Sequence, residues 1–172
     1  MGTAPGKEPG IVFVARFFAA LIVFYVVIAF SPVNDHVIVP FTEVIVHATA
    51  LVMRGVQETI EVEGTVLRTP GFALDVRNGC NGVEAMMLLA AAMIAFPATL
   101  RSRLTGLLAG SVAIQILNLV RVSSLVWLGE HHRESFDVVH VAVWQTIVIL
   151  AALSMFVFWS VKFAEKPLKA RP

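Results

Sequence analysis

Three side chains stand out in this 172-residue sequence for what they could do together. They are its one cysteine, Cys80, an arginine inside an apolar run, Arg121, and a histidine at the start of another, His140. A thiolate attacks carbonyl carbon, a guanidinium stabilises the oxyanion that develops, and an imidazole moves the proton. Those are the parts of acyl transfer. Cys80 lies in the run Arg77-Asn78-Gly79-Cys80-Asn81-Gly82-Val83-Glu84. Asn81 followed three residues later by Glu84 has the spacing of a capping pair, which sets the thiol just ahead of a helix N-terminus. The positive end of the helix dipole and its unpaired amides are expected to lower the thiol pKa. The alternative is a small buried hydrophobe, as most lone cysteines are.

Arg121 precedes Gly129 by about 12 Å of helix, with an almost unbroken apolar run around it. An arginine at such depth in a membrane span costs on the order of 3 kcal/mol unless it is paired or reaches the interface. Ser111, Gln115, Asn118 and Arg121 recur at helical spacing and share one side of that span. Polar residues there face the bundle interior or a wet cavity. The alternative is an arginine that snorkels outward and only anchors the helix. His140 follows Asp137 by three residues, so Asp137 can cap the helix or orient the ring. A histidine alone reads as structural. Its interest lies in three separate spans placing Cys80, Arg121 and His140 in one outer layer, with Asn81, Asn118 and Asp137 as supporting residues.

Other candidates carry less. His131 and His132 stand beside Glu130 and near Glu134, but adjacent histidines lack the i, i+4 spacing of a helical metal site, and a solvated loop is the plainer reading. Ser123 and Ser124 match no nucleophile elbow. One cysteine excludes a disulfide scaffold and any multi-cysteine zinc or iron–sulfur site. No metal and no cofactor is expected.

The elements that must position these residues follow from composition. Hydrophobic residues make up 58% of the chain and charged residues 15%, against roughly 45–50% and 25% in soluble domains. That excludes a soluble globular enzyme, and disorder with it. A net charge of +1 offers no basic surface, so no nucleic-acid partner is expected. A bilayer core takes about 20 apolar residues per helix, and four stretches approach that: 11–30, 83–97, 104–128 and 138–161. The second is short for a span. The expected fold is an all-α integral membrane bundle of about four transmembrane helices, one domain over residues 1–172, with the lipid bilayer as its first partner.

Two further segments lie between the first two spans. Residues 40–54 carry Glu43, His47 and Arg54 as a narrow polar stripe on an apolar helix. About 15 residues is short for a crossing, so a re-entrant or interfacial helix on the outer side is expected. A tilted fifth span is the alternative, with the N-terminus then outside. Residues 56–78 change to period-two alternation with a Pro70-Gly71 turn, which predicts two or three short strands. Open strand edges cannot face lipid, so this β segment belongs above the outer membrane surface. Lys7, Arg16, Arg101, Arg103, Lys162, Lys166, Lys169 and Arg171 all fall on one side if the N-terminus is cytoplasmic. The active layer is then outside. The first span could also be a cleaved signal peptide, but Pro32 directly after Ser31 and the length of the run favour an uncleaved anchor.

Read together, Asn78-Gly79-Cys80-Asn81-Gly82-Val83-Glu84, Asn118-Leu119-Val120-Arg121 and His140 resemble the exosortase/archaeosortase family of membrane-embedded, cysteine-dependent, transpeptidase-like sorting enzymes. The short β segment before the cysteine and the order of the spans resemble it too, from about Val56 to Val161. Within the family this compact form is most similar to exosortase H. The commoner family form has serine where Asn81 stands.

The resemblance implies a function. Substrates would be exported proteins whose C-terminal tails combine a short motif, a hydrophobic span and a basic end. The enzyme would cleave near the motif and pass the protein to a cell-surface acceptor nucleophile. Cys80 carries over as the nucleophile, Arg121 as the cationic stabiliser and His140 as general acid/base, at the outer (periplasmic) side of the plasma membrane. Two competing classes remain at this point: a non-enzymatic membrane scaffold or transporter subunit, and a thiol-dependent intramembrane hydrolase that releases its product to water.

Overall fold

The computed structural model describes residues 9–55 and 59–164. Lys7, Lys166, Lys169 and Arg171, invoked above for topology, lie outside the described residues. The first helix, α1 (Pro9–Ala29), is apolar apart from Arg16 near its start. The backbone becomes extended at Phe30 and Pro32 opens the next helix, where a missing N–H costs nothing. That helix, α2, runs from Ser31 to Met53 and contains a π-turn at Asn34–Ile38. Its buried hydroxyls are satisfied within the helix: Thr42 donates to the Ile38 carbonyl and Thr49 to the Ile45 carbonyl, each at 2.8 Å.

Three short antiparallel strands follow in the order β1 (Glu61–Glu63), β2 (Val66–Arg68) and β3 (Ala73–Asp75). Val62 pairs with Leu67, and Leu67 with Leu74. The alternation read from the sequence is the alternation of faces. Leu67 and Leu74 are buried together with Ile60 and Val76, while the Arg68–Glu63 ion pair (3.2 Å) is exposed on the other side. The buried face packs on Val46, Ala50 and Met53 of α2 and on Val122, Leu125 and Val126 of a later helix. At the far turn, Glu130 accepts hydrogen bonds from the Thr69 hydroxyl and from the Gly71 amide (3.2 Å), tying the sheet to the C-terminal end of that helix.

The bundle proper is α1, α3 (Val83–Ala95), α4 (Leu100–His131) and α5 (Arg133–Lys162). With 13 residues, α3 is about 20 Å long. It packs against α1, α4 and α5 and buries Ala85, Leu89, Ala91, Ala92 and Met93. Close approach is built into α4. A Cβ on Gly106 would collide with the Trp159 indole, and one on Gly110 with Leu89. The N-terminal end of α4 is pinned by Trp159 Nε1 donating to the Ser102 carbonyl (3.0 Å) and Ser102 Oγ donating to the Phe163 carbonyl (2.6 Å). Large apolar side chains such as Ile22, Val26, Leu108 and Val161 point outward, as a lipid-facing surface requires.

The all-α membrane bundle with four long apolar helices is as expected, but the four are distributed differently. By length and composition they are Gly10–Ala29, Ser31–Met53, Leu100–His131 and Arg133–Lys162. Residues 40–54 are therefore not a separate 15-residue piece. They complete a helix of 23 residues. Pro40, which reads as a start, follows directly on the π-turn, where the regular hydrogen-bond ladder is already interrupted. The expected helix over 83–97 ends at Ala95 instead, because Phe96 turns extended ahead of Pro97.

Candidate active site

The loop from Val76 to Gly82 is the local structure that matters most. Val76 donates its amide to the Thr65 carbonyl (3.0 Å), so the strand pairing carries into the loop. A turn then closes with the Cys80 amide on the Arg77 carbonyl (2.8 Å). Gly79 (φ +88°) and Gly82 (φ +80°) flank the cysteine in the left-handed region, which residues with a Cβ enter only with strain. Gly82 has a second reason to be glycine. A Cβ there would lie 2.8 Å from Gln115 Nε2 and 3.2 Å from Asn118 Cγ.

Asn81 is fully buried and ties four elements together. Its Oδ1 accepts the Val83 amide (3.1 Å), and its Nδ2 donates to Thr42 Oγ1 (2.9 Å) and Asn78 Oδ1 (3.2 Å). Gln115 Nε2 donates to its carbonyl (3.2 Å). This corrects the expected capping pair. Gly82, not Asn81, is the residue preceding the helix. The Asn81 side chain closes a two-residue turn, and Glu84 reaches back past it to accept the Gly79 amide at 2.6 Å.

A second correction concerns the thiol. Cys80 is only 5% exposed, and burial pushes its pKa up. The Arg121 charge pulls the other way, and the Glu84 carboxylate adds to the rise. The helix N-terminus does not overcome desolvation. The resting group is a thiol, so its proton needs a taker.

Arg121 does not snorkel. It is 2% exposed, its Nε is buried without a partner, and it forms no ion pair among the described residues. His140 lies in a second π-turn, Val139–Trp144, near the N-terminal end of α5. Cys80, Arg121 and His140 together line one cavity of about 340 Å³, with Asp75, Arg77, Asn78, Gly79, Val141 and Gln145. A second cavity of about 190 Å³ adjoins it through Gly79, Arg121 and Gln145, and Leu21 and Tyr25 of α1, Glu84 of α3 and Ile149 of α5 also line it. A larger apolar groove of about 410 Å³ lies lower in the bundle, around Gly106, Gly110 and Trp159, and shares no residue with either.

The supporting residues separate. Asn81 holds the loop. Asn118 is fully buried beneath Gly82 with neither amide atom hydrogen-bonded, and it does not line the 340 Å³ cavity. Asp137 is exposed one turn before His140. His131 stacks on Trp127 (5.0 Å) and engages the Trp127 carbonyl through Nδ1 (2.9 Å). No group of three or more metal-ligating side chains occurs among the described residues.

Sequence reading missed Gln145, Asp75 and Arg77. Gln145 lies five residues after His140, a spacing that points elsewhere on an α-helix. The π-turn, with its i→i+5 bonding, draws the two toward one face. Asp75 and Arg77 bond to each other (2.5 Å) at the mouth. Their alternation with buried Leu74 and Val76 was the available signal.

The sequence over residues 9–160 matches the protein family described as transmembrane exosortase. Neither a curated relative nor a solved structure matches the chain.

Proposed function

The chain belongs to the transmembrane exosortase family, and on that premise we propose that it is a cysteine transpeptidase that cleaves the C-terminal sorting tails of exported proteins. The observation that supports this reading is the single cavity lined by Cys80, Arg121 and His140. As Sγ attacks the scissile carbonyl, the thiol proton passes to His140 and the tetrahedral oxyanion develops beside Arg121. Collapse breaks the C–N bond, and His140 returns the proton to the leaving amine, which departs with the hydrophobic tail. The protein is left as an acyl-thioester on Cys80. An acceptor nucleophile on the cell surface then gives its proton to His140 and takes the acyl group, and the proton returns to the thiolate. The high thiol pKa suits this sequence, because attack and proton transfer to His140 are coupled rather than dependent on a standing thiolate.

Membership in the family supports a multi-pass membrane protein that sorts other proteins. The motif, the acceptor and the outer position of the site are part of the proposal. The test is a reporter protein ending in a short motif, an apolar helix and a basic end taken from the same genome, co-expressed in membranes. Loss of the tail together with a product heavier than the hydrolysed acid supports transfer. A product of the hydrolysed mass alone would make the enzyme a protease. An uncut reporter with the tails of every exported protein in that genome would defeat the reading.

A further inference from the structure

We infer that Glu84 is the positioning residue of this site. One carboxylate oxygen holds the Gly79 amide so that Cys80 faces Arg121 and His140, and its charge is set against Arg121 across the adjoining cavity. The word nucleophile for Cys80 rests on the function proposed above; the geometry of the clamp does not.

Three observations carry the inference. The Gly79 amide donates to Glu84 Oε1 at 2.6 Å, a charge-assisted bond to the residue immediately before Cys80. Gly79 is in the left-handed region, so its amide direction is set by something other than a regular element, and Glu84 supplies that hold from the first turn of a buried helix. The other oxygen, Oε2, is buried without a partner, as is Arg121 Nε, and both residues line the same 190 Å³ cavity. A guanidinium sequestered at this depth is costly, and a carboxylate across a small apolar-walled space offsets part of that cost.

The charges facing Cys80 can be stated by element. Arg121 comes from α4, Glu84 from α3 and His140 from α5, while Asp75 and Arg77 at the loop are paired with each other. Glu84 is the negative group of this set that bonds the loop backbone. It opposes ionisation of the thiol while Arg121 favours it. An ordinary helix-capping residue would do neither of these things in a way that the thiol could report.

The experiment measures the rate of Cys80 alkylation by iodoacetamide against pH, on the full chain in nanodiscs, for the wild type, Glu84→Gln and Glu84→Ala. The same three proteins are assayed on the tail-bearing reporter. Glu84→Gln keeps an acceptor for Gly79 but removes the charge. The expected result is an alkylation profile displaced to lower pH, with several-fold faster alkylation at pH 7.5. Glu84→Ala loses the clamp as well, and processing is expected to fall at least tenfold at unchanged helical content. An unmoved profile in Glu84→Gln overturns the inference, as does wild-type processing by Glu84→Ala. If the alanine variant does not fold, the glutamine profile decides. The alkylation arm needs no substrate. A wild type that cuts nothing would therefore remove the proposed function while a shifted profile kept the assignment of Glu84.

Discussion

At the scale of single residues, the site pairs a buried thiol with a buried cation, and each makes a prediction. Cys80→Ala and Cys80→Ser should insert normally and leave reporter tails uncut, because a serine hydroxyl is a much weaker nucleophile than a thiol in the same place. Immunoblotting for the retained tail reads this directly. Arg121 is too buried to be an interface anchor, so its planar geometry should matter. Arg121→Lys keeps the charge but loses the fork. It is expected to fold and to process the reporter about a hundredfold more slowly, by analogy with loss of one oxyanion donor, which typically costs ~10²–10³ in rate. Near-normal processing would return Arg121 to a structural role. The thiol itself predicts a pH dependence. Its pKa is raised by burial, so the neutral form dominates at pH 7. Alkylation should climb about tenfold per pH unit and keep climbing past the ordinary thiol range near 8.5. Arg121→Met removes the one pull toward the thiolate and should displace that climb to still higher pH. A plateau below pH 8 in the wild type would contradict the burial argument.

At the scale of elements, the loop before α3 sets everything else. Gly82→Ala would place a Cβ in a left-handed residue and against Gln115 and Asn118. It should destabilise the fold by more than about 1 kcal/mol, readable as a lowered melting temperature of the purified protein, whereas Gly10→Ala, with open space around it, should not. Much of this was legible beforehand. The apolar runs gave the bundle, and the alternation over residues 56–78 pointed to two or three short strands, of which the fold has three among the described residues. Cys80 was marked as the one cysteine beside an expected helix start, Arg121 as a cation inside an apolar run, and His140 as a titratable group at the start of another. What escaped was local and physical. Two π-turns change the register of α2 and α5, hiding the continuity through Pro40 and the approach of Gln145 to His140. Nothing in residue types announces an i→i+5 turn. The capping pair misled for a similar reason. Its spacing was right, but Gly82 takes the left-handed conformation and the helix starts at Val83, three residues past the cysteine.

At the scale of the whole molecule, a short central helix sets the depth of the site. Because α3 is 13 residues long, Cys80 sits about 20 Å from the Ala95 end of α3. The longer α4 continues past it, carrying Glu130 to latch the sheet. The proposed orientation puts Arg101 and Arg103 in the cytoplasm and the sheet outside. Reporter fusions at Arg101 and in the Arg133–Ser135 turn should therefore give opposite signals, and a cytoplasmic signal from that turn would invert the assignment. The proposed transpeptidase chemistry requires a covalent bond to Cys80. The decisive measurement is peptide mass spectrometry of the enzyme after brief exposure to the tail-bearing reporter in membranes, with the acceptor limiting. The predicted result is a hydroxylamine-labile adduct on Cys80, with the mass of the reporter's newly formed C-terminal segment, absent from Cys80→Ala. Cleavage of the reporter at wild-type rate by Cys80→Ala, with no adduct on the wild-type thiol, would contradict it.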